Sequence, residues 1–288
     1  MKQYIISSFT SRLGGGNKAA VMIDDKGLTV EQMLYIAKKN NFSETAFIDL
    51  KKSVDCKYVI RYFTPEEEVD ICGHAALASF YLLDLINNIG FEHIYHKTKA
   101  GELKVLKKDE MFFIQMKAPE EIGCFDIQEV IDFTTLKRED IITNKLGKIS
   151  IVSTGLKDAI IEVSSLEILK ELKIQKRKMV DFCKRENIIG AHIVSRETIE
   201  DDSDFFARNF APAVGIDEES ATGTANASLI YYMIKEKNSN FNSITYKIEQ
   251  GYFMGSPSNI YVYIEPGDPI GMFVGGKAKL IGVENIDI

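Results

Sequence analysis

Two carboxylates, a histidine and two glycine-led runs are the residues whose types suit chemistry in this chain. Glu44 lies between Ser43 and an apolar, strand-forming run that begins at Thr45. A carboxyl group held against apolar surface has its charged form disfavoured, which suits a proton shuttle. The structural alternative is a surface glutamate capping a strand. His74 stands one residue into the apolar run Cys72-Gly73-His74-Ala75-Ala76-Leu77-Ala78-Ser79, where a lone histidine is usually structural. The second half of the chain repeats the pattern as Thr222-Gly223-Thr224-Ala225-Asn226-Ala227-Ser228. An acidic run precedes each copy, Glu66-Glu67-Glu68 in one case and Asp217-Glu218-Glu219 in the other.

Both runs are long enough for a helix and apolar almost all round, so each helix is expected to be buried at the centre of a domain. The first N–H groups of such a helix lack intrahelical partners and carry the positive end of its dipole, a ready anion site. A single copy reads most simply as a core helix. The repetition, with polar residues at both openings, favours a paired site.

The elements that must position these residues are mostly short strands. Segments 3–9, 19–24, 45–50 and 56–63 read as strands from their β-branched and aromatic content. Segment 30–40 reads as an amphipathic helix with Met33, Leu34, Ile36 and Ala37 on one side. The first buried helix is expected over 73–88, followed by strands at 92–97, 102–107 and 111–116. Pro119 with Glu120-Glu121 marks a domain boundary. Beyond it, strands are expected at 149–153, 158–163, 192–195 and 205–210, with helices at 166–172 and 176–186. The second buried helix, 223–236, then precedes strands at 245–250, 259–264 and 277–283. The expected fold is α+β: two pseudo-repeated halves, each a curled, mostly antiparallel sheet around one buried central helix. The halves are 1–118 and 119–276, with the last strand, 277–288, free to return to the first.

A chain of 288 residues is about twice the usual domain length, in keeping with two domains. Its net charge of −7 and pI near 5.3 argue against nucleic acid or an acidic membrane as partner. Lys176-Arg177-Lys178 reads as the solvated face of a helix. The four cysteines, Cys56, Cys72, Cys124 and Cys183, form no CxxC pattern and fit reduced thiols. The N-terminal apolar run is too short for a signal peptide, and no stretch approaches the ~20 apolar residues of a membrane helix. A cytoplasmic, unanchored protein is expected.

Sharper motifs fail. Gly14-x-Gly16-x-x-Ala19 imitates a dinucleotide fingerprint, but the chain continues from Ala19 as strand rather than helix. His93 and His96 are three apart on an expected strand and point to opposite faces, so they make no metal pair. No metal and no cofactor are expected.

Taken together, the motifs carry a resemblance. Asn41-Phe42-Ser43-Glu44-Thr45-Ala46-Phe47, Phe63-Thr64-Pro65 and Cys72-Gly73-His74-Ala75 resemble segments of the phenazine-biosynthesis PhzF-like isomerase family. So do Arg208-Asn209-Phe210-Ala211-Pro212, Gly215-Ile216 and Thr222-Gly223-Thr224-Ala225. Gly16-Asn17, Gln250-Gly251, Pro257-Ser258 and Gly275-Gly276 extend the likeness over essentially the whole chain. The resemblance implies a diaminopimelate-epimerase-like fold, with the active site between its halves. It also implies a cofactor-independent isomerase, working as a homodimer, that shifts a proton and a double bond in a small carboxylate-bearing metabolite.

By the same resemblance Glu44 is the general acid/base, assisted by His74 and Glu219. Asn17, Gly73, Gly223 and Thr224 bind the substrate, with the N–H groups around the two glycines clamping its carboxylate. The chain departs from the family at Glu219, where Asp is usual, at Ser220 in place of Pro, and at Thr224 in place of Ser. Lys18 and Ser256 also replace a common Pro and Arg.

One alternative is an amino-acid racemase or epimerase with two opposed cysteines, one at the start of each central helix. Cys72 fills the first place, but Thr224 stands in the second, and a hydroxyl is too weak an acid to partner a thiol. A binding protein that kept the fold without catalysis is the other alternative. It would have no activity to lose on removal of Glu44.

Overall fold

A computed structural model describes residues 1–10, 12–54, 57–70, 72–87, 89, 93–99, 101–237, 245–267 and 269–286. Cys56, Asn88 and Glu92, each part of an expected element, lie outside them. The chain divides into two compact units, Met1–Gln115 with Gly275–Ile288, and Met116–Val274.

In the first unit, β1 (Lys2–Ser8) pairs antiparallel with β2 (Asn17–Ile23) on one side. On its other side it pairs with the last strand, Ala278–Asn285. The order continues through β3 (Thr45–Val54), parallel to β2, and β4 (Lys57–Phe63), antiparallel to β3. A two-residue strand, β5 (Glu68–Val69), also pairs with β4.

Two parallel pairs require crossovers, and helices supply both. The first, α1 (Val30–Asn40), begins at a Thr29 cap whose hydroxyl accepts the Gln32 N–H, while the Gln32 side chain returns to the Thr29 N–H. It ends at Asn41 in the left-handed region (φ 54°). Its buried face, Met33, Ile36 and Ala37, packs on Met22, Phe47 and Phe63 of the sheet. The second crossover is α2 (Gly73–Asn87), which leads to β6 (His93–Thr98), parallel to β4. Antiparallel strands β7 (Gly101–Lys108) and β8 (Met111–Gln115) follow.

Helix α2 touches β1, β2, β3, β8 and the last strand. Because it meets strands from both ends of this order, the sheet curls around it. Ala75, Ala76, Leu77, Ala78, Phe80, Leu82 and Leu83 are all buried, as an apolar surface on every side requires.

The second unit repeats the plan. Strands β9 (Glu120–Phe125), β11 (Ile149–Ser153) and β12 (Lys157–Val163) pair antiparallel, and a short β10 (Ile141–Ile142) also joins β12. Helix α3 (Ile127–Phe133) follows β9. A crossover through α4 (Leu166–Glu171) and α5 (Lys176–Glu186) leads to β13 (Gly190–Ser195), parallel to β12. Antiparallel β14 (Phe205–Ala211) and β15 (Ile216–Glu219) come next. The central helix α6 (Gly223–Lys237) crosses to β16 (Thr245–Gln250), parallel to β14, and β17 (Ser258–Glu265) pairs antiparallel with β16; a further strand, Gly271–Gly276, follows.

Helix α6 rests on β11, β12, β13 and β17. The other sheet face is covered by α3 and α5, with Phe125, Val130, Phe133, Met179 and Phe182 in one core. Helix α3 and strand β9 have no counterpart among the expected elements. The helix is only 7 residues long and is held by its Asp126 cap and by packing, below the length at which periodicity is legible. Lys176, Arg177 and Lys178 are exposed on α5. Among the described residues, no helix is long and apolar enough to cross a membrane. Cys72, Cys124 and Cys183 are free thiols.

Candidate active site

The opening of α2 gathers residues from three segments. The Cys72 carbonyl accepts the Ala76 N–H at 2.8 Å, so Cys72 caps the helix and His74 sits in its first turn. The Ser8 hydroxyl donates to the His74 carbonyl at 2.6 Å, tying this turn to the end of β1. Glu44 arrives from the short link between α1 and β3, which the left-handed Asn41 bends back toward the sheet.

Asn17 opens β2 after Gly16, whose φ is +80°. A Cβ on Gly16 would lie 2.3 Å from the Ser8 carbonyl oxygen, so only glycine lets this loop close against β1.

The His74 ring is the hub. Its Nε2 lies 3.2 Å from Glu44 Oε2 and 3.3 Å from Ser43 Oγ. Its Nδ1 lies 3.3 Å from Cys72 Sγ and 3.4 Å from the Asn17 amide nitrogen. Glu44 Oε2 is shielded from solvent and has no aligned hydrogen bond, so its contact with His74 is an ion pair. The Glu44 side chain as a whole remains 20% exposed, which leaves part of the carboxyl open to an incoming molecule.

Charge at this cluster follows from competition between burial and partners. Burial pushes the Glu44 carboxyl upward, but His74, then Ser43 and Cys72, outweigh it and hold the group below its ordinary value. This corrects the expectation of an apolar setting that disfavours the carboxylate, because the side chain is paired rather than isolated. Burial opposes the charged form of His74, and its contacts with Cys72 and Glu44 more than reverse that, so the ring is pushed up. Burial and then the Glu44 charge push the Cys72 thiol up to about 11. Cys72 therefore keeps its proton at neutral pH, and Glu44 supplies the negative charge that holds the imidazolium.

The opening of α6 is built from amides and hydroxyls. The Thr222 carbonyl accepts the Asn226 N–H, and the Thr222 hydroxyl donates to Glu219 Oε2 at 2.6 Å. Gln250 pins both residues: its Nε2 donates to the Glu219 carbonyl at 2.8 Å and to Thr222 Oγ1 at 3.1 Å. Its Oε1 accepts from the Thr222 N–H and from Asn226 Nδ2. Asn226 Oδ1 then meets Nε2 of the buried His192 at 3.1 Å.

Burial pushes His192 down to about 4, so its ring is neutral at physiological pH. Asp158, also fully buried, is pushed up to about 7 by burial and by the charge of Glu219. The Thr224 carbonyl accepts from the Thr154 hydroxyl at 2.9 Å, which fixes the first turn against the β11–β12 connection.

The first unit thus brings Glu44, His74 and Asn17 together, with Gly73 beside them at the head of α2. The second unit brings together Glu219, Gly223 and Thr224 at the head of α6. An added Cβ at Gly73 meets nothing within 4 Å, whereas one at Gly223 meets Val274 Cγ1 at 3.3 Å.

Ser43, Gln250, Asn226, His192 and Asp158 entered no list of expected site residues. Gln250-Gly251 was visible as a motif, and Gly251 closes so tightly on Ser220 that a Cβ would lie 2.7 Å from its carbonyl oxygen. His192 gave no signal, being one histidine in an apolar strand. His96 is buried and stacked on Phe80, and burial pushes it down to about 3, which makes it a neutral packing residue. Among the described residues, Glu44, Cys72 and His74 form the group of potential metal ligands, with donor atoms all within 4.8 Å of one another.

Known proteins share this arrangement of sequence and fold. The chain is 32% identical over 289 residues to an uncharacterized isomerase of Clostridium acetobutylicum, covering 96% of this chain and 95% of the relative. Its structure is similar to that of a Bacillus anthracis phenazine biosynthesis protein of the PhzF family, with a TM-score of 0.89 at 24% identity over 100% of this chain and 99% of the other. A probable proline racemase from Agrobacterium radiobacter is similar in fold alone, with a TM-score of 0.65 at 11% identity over 100% and 93% of the two chains. Residues 6–280 match the family model described as phenazine biosynthesis-like protein, and the chain is an isomerase of that PhzC–PhzF family, with a diaminopimelate-epimerase-like fold.

Proposed function

We propose that this isomerase shifts a proton, and with it a double bond, within a small carboxylate-bearing metabolite. Glu44 takes the proton from one carbon, the electron pair of that C–H bond moves into the substrate's π system, and the proton is returned at another carbon. The imidazolium of His74 compensates the negative charge that develops, and Glu219 assists. Asn17, Gly73, Gly223 and Thr224 bind the substrate, and the first-turn N–H groups of α2 and α6 hold its carboxylate.

The observation that carries this reading is the contact of 3.2 Å between Glu44 Oε2 and His74 Nε2, with Glu44 still partly exposed. It joins a base to a proton-holding partner. Action without a cofactor, as a cytoplasmic homodimer, belongs to the same proposal and is supported by the family resemblance and the composition.

One observation favours a racemase instead, the approach of Cys72 Sγ to His74 Nδ1 at 3.3 Å. Against it stand a thiol pushed up to about 11 and the hydroxyl of Thr224 in the second place. Proton exchange in deuterated water, followed by NMR over a panel of small cyclic and acyclic carboxylates, separates the readings. Solvent deuterium incorporation lost in Glu44→Gln supports the isomerase. Exchange that survives Glu44→Gln and vanishes in Cys72→Ser moves the chemistry to the thiol. No exchange by the wild type with any member of the panel returns the chain to a binding role.

A further inference from the structure

We infer that His192, Asn226, Gln250 and Thr222 are positioning residues for Glu219, linked into a chain of hydrogen bonds that runs in one direction and ends on the Glu219 carboxylate. All five belong to the second unit, and His192, Asn226 and Gln250 are fully buried.

Backbone groups, which cannot be turned, fix the direction of each amide. Gln250 Nε2 lies 2.8 Å from the Glu219 carbonyl, an acceptor, and Gln250 Oε1 lies 3.2 Å from the Thr222 nitrogen, a donor. Asn226 Nδ2 lies 2.8 Å from the Thr222 carbonyl, which leaves Asn226 Oδ1 for His192. Turning either amide would set donor against donor or acceptor against acceptor, with the penalty of buried, unpaired polar groups.

With both amides fixed, the hydroxyl and the ring have no choice. Gln250 Nε2 donates to Thr222 Oγ1 at 3.1 Å, so the single hydroxyl hydrogen of Thr222 goes to Glu219 Oε2, 2.6 Å away. Asn226 Nδ2 donates to Gln250 Oε1 at 2.8 Å. Asn226 Oδ1 can only accept, so His192 carries its hydrogen on Nε2, 3.1 Å away. Burial pushes the ring down to about 4 and keeps it neutral, so Nδ1 is bare. The Asn209 side chain, 3.1 Å from Nδ1, offers it a hydrogen by turning about its last torsion. That turn breaks nothing, since Asn209 makes no other side-chain hydrogen bond among the described residues.

The chain therefore runs from His192 through Asn226, Gln250 and Thr222 to Glu219, each donating to the next. Hydrogen bonds aligned in one direction polarise one another, which strengthens the last donor, and that donor meets a carboxylate. Glu219 Oε2 is held by it as an acceptor. That this supports the assistance of Glu219 in the proton shift rests on the proposed function; the direction of the chain does not.

The origin of the chain is read by 15N NMR of the substrate-free wild type near pH 7, with the His192 signals identified by their loss in His192→Gln. The expected result is a protonated Nε2 and a bare Nδ1. A proton on Nδ1, or on both nitrogens, overturns the chain. This measurement uses the unaltered protein, so it decides even where a variant fails to fold.

The end of the chain is read by a double-mutant cycle in denaturant, which needs no substrate. Thr222→Val is expected to lower the folding equilibrium constant by about 10–100-fold in the wild type, and by less once Glu219→Gln has removed the charge. Equal losses in both backgrounds overturn the link to Glu219. In proton exchange with the responsive carboxylate of the panel, Thr222→Val lowers kcat by about 10-fold or more with little change in KM. Thr222→Ser restores it, and Thr222→Val adds nothing to Glu219→Gln. A loss that persists in the Glu219→Gln background overturns the positioning role. Wild-type exchange in Glu219→Gln overturns the assisting role of Glu219, while the NMR signals and the cycle still decide the chain.

Discussion

At the head of α2, the ring of His74 faces a carboxylate and a thiol; at the head of α6, the ring of His192 faces two amides. Both rings are buried, and burial alone favours the neutral form in each. Only the first has a partner that can carry negative charge, and that partner reverses the direction. His192 is left near 4, while His74 is pushed up. Repeating a fold element does not repeat its chemistry, because one charged neighbour at hydrogen-bonding distance outweighs the common effect of burial. One opening pairs charged groups, and the other is a network of neutral amides and hydroxyls around a neutral ring.

The sharpest way to break this contrast is to neutralise its charged side. Glu44→Gln is expected to lower the rate of proton exchange by about 10²- to 10⁴-fold, the range of general acid–base catalysis, with folding intact by circular dichroism. Exchange at the wild-type rate would remove Glu44 from the chemistry.

The second test concerns Asp158. Its folded value of about 7 lies above the ordinary 3.8, so the folded state keeps a proton that the unfolded chain gives up. Its stabilising contribution is therefore complete below about pH 4 and lost as the pH rises toward 7. Asp158→Asn is expected to raise stability at pH 8, by on the order of 4 kcal/mol at most, and to leave it unchanged near pH 4. Denaturant melts at the two pH values check this, and a gain of equal size at both would contradict the assignment.

The third test imports the charge. Asn209 lies 3.1 Å from His192 Nδ1, so Asn209→Asp places a carboxylate where the second unit has an amide. NMR titration of the His192 ring is then expected to move upward from about 4 by roughly 1–3 on the pH scale. A ring that stays near 4 would mean that burial, not the partner, governs both sites.

The smallest effect is expected at Gly73, where an added Cβ meets open space. Gly73→Ala should change stability by less than about 1 kcal/mol, since no packing contact is disturbed. It should lower exchange if the substrate closes on this turn. A large loss of melting temperature would show that glycine is needed for folding instead.

Much of this architecture was legible before any coordinates. The alternation of short strands with amphipathic helices, and the one wholly apolar helix in each half, follows from residue type and period. Both central helices lie where their Ala-rich runs begin and end. Helix α3 was not legible, because 7 residues held by a cap and a core carry too few periods to read. At the site, Glu44, His74 and the two glycine-led openings stood out by position and motif. The lowered pKa of Glu44 did not, since a local sequence of apolar neighbours suggests isolation.

The sequence alone determined which residues could do chemistry, which helices had to be buried, and which family the chain resembles. The tertiary structure decided what those residues are to one another. Glu44 meets His74 only because the Asn41 turn and the Cys72 cap bring two distant segments onto one imidazole. His192, Asn226, Gln250, Thr222 and Glu219 form one network only because β13, α6, β16 and β15 converge. Hydrogen bonds and charge pairs reach only a few ångströms, so the chemical state of a buried group is set by whatever the fold places beside it.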